Sequence, residues 1–504
     1  MKEKTKQASL AEKTGVVVFS RILTTVLELA LAISLVNLLA KTDFAIISYL
    51  LLIYESARYL ATLGFPESVF YFFERVTRNA RKAFALQTCA IMMVTATISA
   101  MVIFAISFAV PSLLGHWDEA SQAAIMEFLP IMALVSFLEI PTWPVPNVLL
   151  AADRQKDAAW YQLLTSALTF GAIIGPLALG YPLMVSLYCL LGYSIIRFII
   201  SFIWLWAVLP PLVETSGKVL LKEQIKFAIP IGASSLVSRF NKFIDKFVVS
   251  LILPAAALAE YNVGAQEIPI VRVIPFAVGS VLISRYVSLQ LDGKKEELLQ
   301  LWYKGIKKVS LVVLPLTVMF VVIAYDFITV LFGEEYEAAV IPFQIYSLII
   351  LMRVTHYGSI LQAFGDTKGV LYTSLNLLVA NIILSVPFTL MWGINGAAFS
   401  TLLANFYNWV VVLRRIGGHM ELPAHKVLPF PYYLKVMSSA IAGGILAWLV
   451  RYLAFPNIAA IAALGLSMII FLLLFALIGT LTKTISKEDW IQFGEWMRLK
   501  FLYS

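Results

Sequence analysis

The chain has 504 residues, of which 60% are apolar and only 13% charged, with a formal net charge of +8. A soluble domain carries about 25% charged residues, so this composition, with a mean hydropathy of +0.86, excludes a set of water-soluble globular domains. Apolar runs recur from end to end, and the chain reads as one all-α polytopic membrane body. Segments of alternating period, which a transmembrane β-barrel requires, are absent from the sequence.

A membrane-spanning helix takes roughly 20 apolar residues. Fourteen stretches supply them, starting near residues 14, 43, 82, 123, 158, 181, 227, 256, 305, 337, 370, 394, 434 and 456. Basic residues gather on alternate connections: Lys2 to Lys13, Arg75 to Lys82, Arg154 and Lys156, Lys218 to Lys226, Lys294 to Lys308, Lys368, Arg414 to Lys435, and Lys483 to Lys500. The opposite connections hold only Lys41 and Arg451 and carry Asp118, Glu119, Glu334, Glu335 and Glu337. The bias of Lys and Arg to the cytoplasmic side predicts that both termini are cytoplasmic and that the net charge reports topology. A nucleic-acid surface is not expected. The polar first thirteen residues run straight into the first span with no cleavage pattern of small residues, so no removed leader is expected.

Cys89 and Cys189 lie in separate spans and predict neither a disulfide framework nor a metal site. GxxxxGK[ST] and HExxH are both missing and every connection is short. No cofactor, no bound ATP and no enzymatic chemistry are therefore expected.

Three landmarks repeat at offsets of 212 or 213 residues. Tyr49 and Glu55 in "SYLLLIYE" match Tyr261 and Glu267 in "EYNVGAQE"; Asp153 in "LLAADRQK" matches Asp366 in "LQAFGDTK"; Gly180 matches Gly393. The register predicts two pseudo-symmetric six-helix lobes, residues 1–215 and 216–418, followed by 419–504 with two extra helices and a cytoplasmic interfacial tail. Ser486 is the expected cap of that tail, with Trp490, Phe493 and Met497 on its apolar face.

The second half, through "VLFGEEYEAAVIPFQIYSLI" and "MWGINGAAFSTLLAN", resembles the polysaccharide flippases of the multidrug/oligosaccharidyl-lipid/polysaccharide exporter superfamily. The first half departs from the pattern, with "GYPLMVSLY" where the second has "GINGAAFST". The resemblance implies a fourteen-helix bacterial inner-membrane flippase with alternating access. Its implied substrate is a polyprenyl-pyrophosphate-linked oligosaccharide of O-antigen or capsule synthesis, and its implied partners are membrane lipid and polysaccharide polymerase or assembly proteins. A multidrug or organic-cation antiporter of the same superfamily is the alternative.

Charges inside spans cost roughly 2.5 to 3.5 kcal/mol each at the bilayer centre, so each one asks for a partner or a wet cavity. In "SSLVSRFNKFIDKFVVSLIL", on one continuous helix at about 100° per residue, Lys242 and Lys246 fall within roughly 60° of Arg239, and Asp245 stands apart. Arg21, Arg58, Arg239 and Arg272 are candidates for the pyrophosphate, because a guanidinium donates two parallel hydrogen bonds and stays charged. Lys242 and Lys246 would add point charge. Glu28, Glu55, Asp245 and Glu267 are candidates for ion coupling or for charge pairing, with Glu55 and Arg58 spaced to pair locally. Arg197, Arg285 and Arg353 complete the basic residues within spans, and Tyr49, Tyr54, Tyr59, Asn262 and Gln266 are candidate sugar contacts. Pro141, Pro144 and Pro146 must break the fourth span, and Pro269 and Pro275 allow a bend in the eighth; all five are candidate hinges.

Overall fold

In the computed structural model, the described residues are 20, 23–209, 221–266, 269–455 and 460–491. Among them every regular element is helical. The elements are α1 (Leu23–Leu38), α2 (Lys41–Thr62), α3 (Phe65–Phe72), α4 (Arg81–Leu113), α5 (Glu119–Glu139), α6 (Val145–Ala151), α7 (Gln155–Ala178), α8 (Leu183–Val208), α9 (Leu221–Phe240) and α10 (Ile244–Ile252). There follow α11 (Ala255–Gly264), α12 (Pro269–Leu291), α13 (Lys295–Val322), α14 (Ala324–Phe332), α15 (Val340–Ile349), α16 (Tyr357–Ala363), α17 (Thr367–Met420), α18 (Phe430–Ala454) and α19 (Ala460–Leu481). Eleven helical segments are long and apolar enough to cross a membrane among the described residues. One of them, α17, has 54 residues and is broken at Trp392 and Gly393, where Gly393 takes φ 59° and ψ −138°. At 1.5 Å per residue it measures about 80 Å against a hydrocarbon core of about 30 Å, length enough for two crossings.

By packing, the chain divides into two compact units, Met1–Ala259 and Glu260–Ser504. In the first, α2, α4, α5 and α8 pack side by side while α3 lies against α6 and α9. The chain breaks between α2 and α3 at Leu63 and Gly64, both with positive φ. The break admits α9 at backbone distance: a Cβ on Gly232 would lie 2.1 Å from the Leu63 carbonyl carbon. In the second unit, α13 packs on α12, α15 and α18, and α18 on α19. Trp302 of α13 is fully buried and donates its indole N–H to the Val427 carbonyl at 3.0 Å.

Gly180 and Gly393, which the expected repeat would match, both adopt positive φ. Asp366 caps α17, accepting the Gly369 N–H at 2.9 Å, and Asp118 caps α5 from Ser121 at 2.8 Å. The proline-rich fourth span is interrupted: α5 stops at Glu139, a 3₁₀ turn covers Ile140–Thr142, and α6 begins after Pro144 with Pro146 in its first turn. Pro269 opens α12, which continues through Pro275. Ser486 accepts the Asp489 N–H at 3.2 Å as a cap, and Phe493 and Met497 lie outside the described residues.

The expected continuous basic stripe is corrected by the backbone. α9 ends at Phe240 and α10 starts at Ile244, with i to i+3 bonds from Lys242 to the Arg239 carbonyl and from Phe243 to that of Phe240. Such tighter bonds turn each residue by more than an α-helix does, so Lys242 and Lys246 do not keep the α-helical register from Arg239.

Candidate functional site: a guanidinium and aromatic cluster

Within the first unit, α2 presents Tyr54, Glu55, Arg58 and Tyr59 on consecutive turns. Arg58 is 8% exposed and pairs with Glu55 one turn earlier. Its guanidinium carbon stands 3.9 Å from the ring centroid of Trp143 and 4.7 Å from that of Tyr59, a cation held between aromatic faces. The break in the fourth span puts Trp143 there. Had α5 continued, position 143 would follow the helical spiral instead of lying in the turn before α6.

Beside this pair sits a second one that sequence reasoning missed. Glu139, the last residue of α5, is buried and accepts three hydrogen bonds: from the Tyr54 hydroxyl at 2.6 Å, from Arg197 Nη1 of α8 at 3.0 Å, and from Ser194 Oγ at 3.0 Å. Arg197 spends its Nε on Thr142 Oγ1 at 3.0 Å. The network thus binds both ends of the 3₁₀ turn to α2 and α8. An acid inside an apolar run was the available signal, overlooked in "FLEIPTW" beside its prolines.

Arg239 behaves differently. It lies 3.7 Å from Glu67 of α3, with both side chains about two-fifths exposed, and its guanidinium stands 4.5 Å from the Tyr59 centroid. The other side of this aromatic group is Phe243, stacked with Tyr59 at 5.9 Å. An exposed ion pair is worth about 0 to 1 kcal/mol, whereas removing one partner of a buried pair costs roughly 3 to 5 kcal/mol. Arg197 is therefore locked, and Arg239 is the arginine of this cluster that a ligand can take from its acid at small cost.

Lys242 is exposed and Lys246 half-buried. Asp245 is buried and accepts the Lys246 backbone N–H at 2.8 Å in the first turn of α10. Glu28 is exposed on α1. Arg21 and Glu267 lie outside the described residues, and Arg272 is placed only by its backbone, in α12. The structure thus brings Arg58, Glu55 and Arg239 together around Tyr59, joined by Trp143, Glu67 and the Glu139–Arg197 pair. No group of three or more metal-ligating side chains occurs among the described residues.

A family model for polysaccharide biosynthesis proteins matches residues 34–341. An uncharacterized membrane protein of the cps region of Klebsiella pneumoniae is 26% identical over 197 residues, which cover 37% of this chain and 39% of that protein. The match thus spans well under half the length of this curated relative. The fold is similar to that of the lipid II flippase MurJ in an inward closed conformation, with a TM-score of 0.69 and 14% identity over 93% of this chain and 98% of the other. It is also similar to an inward-facing MATE multidrug transporter of the MOP superfamily, with a TM-score of 0.62 and 13% identity over 79% of this chain and 94% of the other. A multi-pass helical body of this fold, matched by the family model over most of its length, belongs to the polysaccharide biosynthesis protein family.

Proposed function

We propose that this chain is a flippase that carries a polyprenyl-pyrophosphate-linked oligosaccharide from the inner to the outer leaflet of the bacterial cytoplasmic membrane. The full proposal has fourteen crossings, both termini in the cytoplasm, lobes at 1–215 and 216–418 with 419–504 added, and alternating access through a cationic cavity. Family membership and the likeness to a protein titled lipid II flippase support it. Matching positive-φ glycines at 180 and 393 support the duplication.

The observation that carries the reading is the loosely paired Arg239 over Tyr59, next to Arg58 on Trp143. A pyrophosphate offers several charged oxygens to a guanidinium that gives up little by leaving Glu67. The half-buried rings of Tyr59 and Phe243 beside it suit the apolar face of a sugar ring. Against the antiporter alternative, Glu55 and Glu139 each already face an arginine in a buried or half-buried pair, which leaves these acids poorly disposed to receive an organic cation. The break at Pro141, Pro144 and Pro146 is proposed as a fixed joint rather than a hinge, because Glu139 and Thr142 on its turn are tied to α8.

The test is reconstitution in liposomes, with transbilayer movement of a polyprenyl-pyrophosphate oligosaccharide measured for the wild type and for an Arg239→Gln, Lys242→Gln double variant. Organic-cation uptake runs alongside. Lipid movement that disappears in a variant of unchanged melting temperature supports the reading; cation uptake without lipid movement overturns it.

A further inference from the structure

The lipid-exposed side of the first unit has a groove of about 640 Å³ between α4 and α8, lined by Leu86, Cys89, Met93, Phe198, Phe202 and Ile203 among others. Its volume lies within the roughly 300 to 1,000 Å³ of small-molecule pockets. The lining is hydrocarbon apart from the Cys89 thiol at its floor and Thr97, whose hydroxyl is spent on the Met93 carbonyl at 2.9 Å. Both walls fall inside membrane-spanning segments, so the groove offers no partner to a polar ligand along its length.

One end is different. Lys82 shares the groove face of α4, since positions 82, 86, 89 and 93 follow the i, i+4, i+7, i+11 spacing of one helix stripe. It is 5% exposed, donates to the Trp206 carbonyl at 2.8 Å and sits 4.5 Å from the Trp206 ring centroid. An ammonium has three donors; among the described residues these contacts use one N–H and one face, and no carboxylate pairs with it. Trp206 itself is 59% exposed, as an aromatic at a membrane interface would be. Just before α4 the connection adds Arg75 and Arg78, both exposed, and Arg81, which takes the single acid there, Glu74. α4 begins and α8 ends at this level, so the basic cluster and the mouth of the groove share one membrane face.

A long apolar slot at hydrocarbon depth, with buried Lys82 one turn beyond Leu86 on the same stripe and exposed Arg75 and Arg78 at that interfacial end, has the shape of a two-part amphiphile. We propose that the groove binds an anionic glycerophospholipid, with one acyl chain between α4 and α8 and the phosphate at Lys82, Trp206 and Arg78. Basic pockets between spans at an interface are suited to anionic headgroups, and a zwitterionic headgroup would bring its own ammonium toward the same cations. The site is separate from the Arg58 and Arg239 cluster, and its occupancy does not depend on the flippase reading.

The experiment is native mass spectrometry of the purified full-length chain with dioleoyl phosphatidylglycerol and dioleoyl phosphatidylcholine in competition. One phosphatidylglycerol is expected to be retained preferentially by the wild type. In Lys82→Gln the preference falls about fivefold, the loss expected from one basic contact at a membrane surface, while Lys82→Arg keeps it. Ala90→Phe, which places a ring in the groove, lowers retention of both lipids, and it carries the test if Lys82→Gln fails to fold. Equal retention of the two lipids by the wild type, or an unchanged preference in Lys82→Gln, overturns the proposal. Equimolar polyprenyl pyrophosphate displacing phosphatidylglycerol also overturns it, assigning the groove to the transported lipid.

Discussion

Glu139 and Arg197 stand 58 residues apart in sequence and meet at 3.0 Å inside the first unit, each also bound to a neutral hydroxyl of the other's surroundings. Breaking a buried pair leaves one charge uncompensated, a loss of roughly 3 to 5 kcal/mol. Glu139→Gln and Arg197→Gln are each expected to lower the melting temperature sharply in detergent. The double variant should lose much less than the sum, because it buries no lone charge. Additive losses would show that the two residues act independently.

The indole of Trp143 is expected to hold Arg58 by its face. A desolvated contact between a cation and a ring is worth up to about 2 kcal/mol, so Trp143→Leu should destabilise by about that much while Trp143→Phe retains part of it. A cycle with Arg58→Met separates the contact from simple packing. If Trp143→Leu costs as much in the Arg58→Met background as in the wild type, the cation contact contributes nothing.

Gly232→Ala is expected to lower stability at the upper end of the roughly 1 to 3 kcal/mol range for overpacking, because its Cβ would meet backbone of Leu63, which has no rotamer to yield. Gly64→Ala adds the strain of φ +76° to a Cβ 2.5 Å from the Ala228 carbonyl oxygen. Gly171→Ala, with nothing within 4 Å, should be neutral or mildly stabilising. Thermal melts of the three variants check the order.

In the second unit Asp366 accepts Arg415 Nη2 at 2.8 Å and contacts His419 Nε2 at 2.8 Å. The hydrogen bond from Arg415 holds its carboxyl well below the usual carboxylate range. A depressed folded value means that the stabilisation is complete above the unfolded value of about 4 and is lost as pH falls through the folded one. Asp366→Asn should therefore melt below the wild type at neutral pH, with the gap narrowing only when pH drops below about 4. The absence of a gap at neutral pH would show that the Asp366 carboxylate adds no stability.

Much of this architecture is written in one-dimensional patterns. Apolar runs mark the spans because the bilayer demands length and little else, and Pro141, Pro144 and Pro146 mark the break because the backbone cannot avoid it. The local Glu55 and Arg58 pair is likewise readable from i, i+3 spacing. Partners brought together by tertiary packing are not: nothing near Glu139 names Arg197, and nothing near Arg239 names Glu67. The turn at 241–243 also has no proline or glycine to announce it, so angular reasoning carried Arg239 and Lys246 across a boundary where it fails.

The separation of Glu139 from Arg197 has a consequence for biogenesis. Glu55 and Arg58 enter the bilayer on one helix and neutralise each other as they arrive. Glu139 emerges long before its guanidinium: at about 5 to 20 residues per second, the ribosome needs roughly 3 to 12 s to reach Arg197. During that interval a lone acid in hydrocarbon is penalised by roughly 2.5 to 3.5 kcal/mol. The fourth span is then best kept at the insertion machinery until the sixth arrives, so that the pair that fixes the finished lobe also sets the order in which its helices are released into lipid.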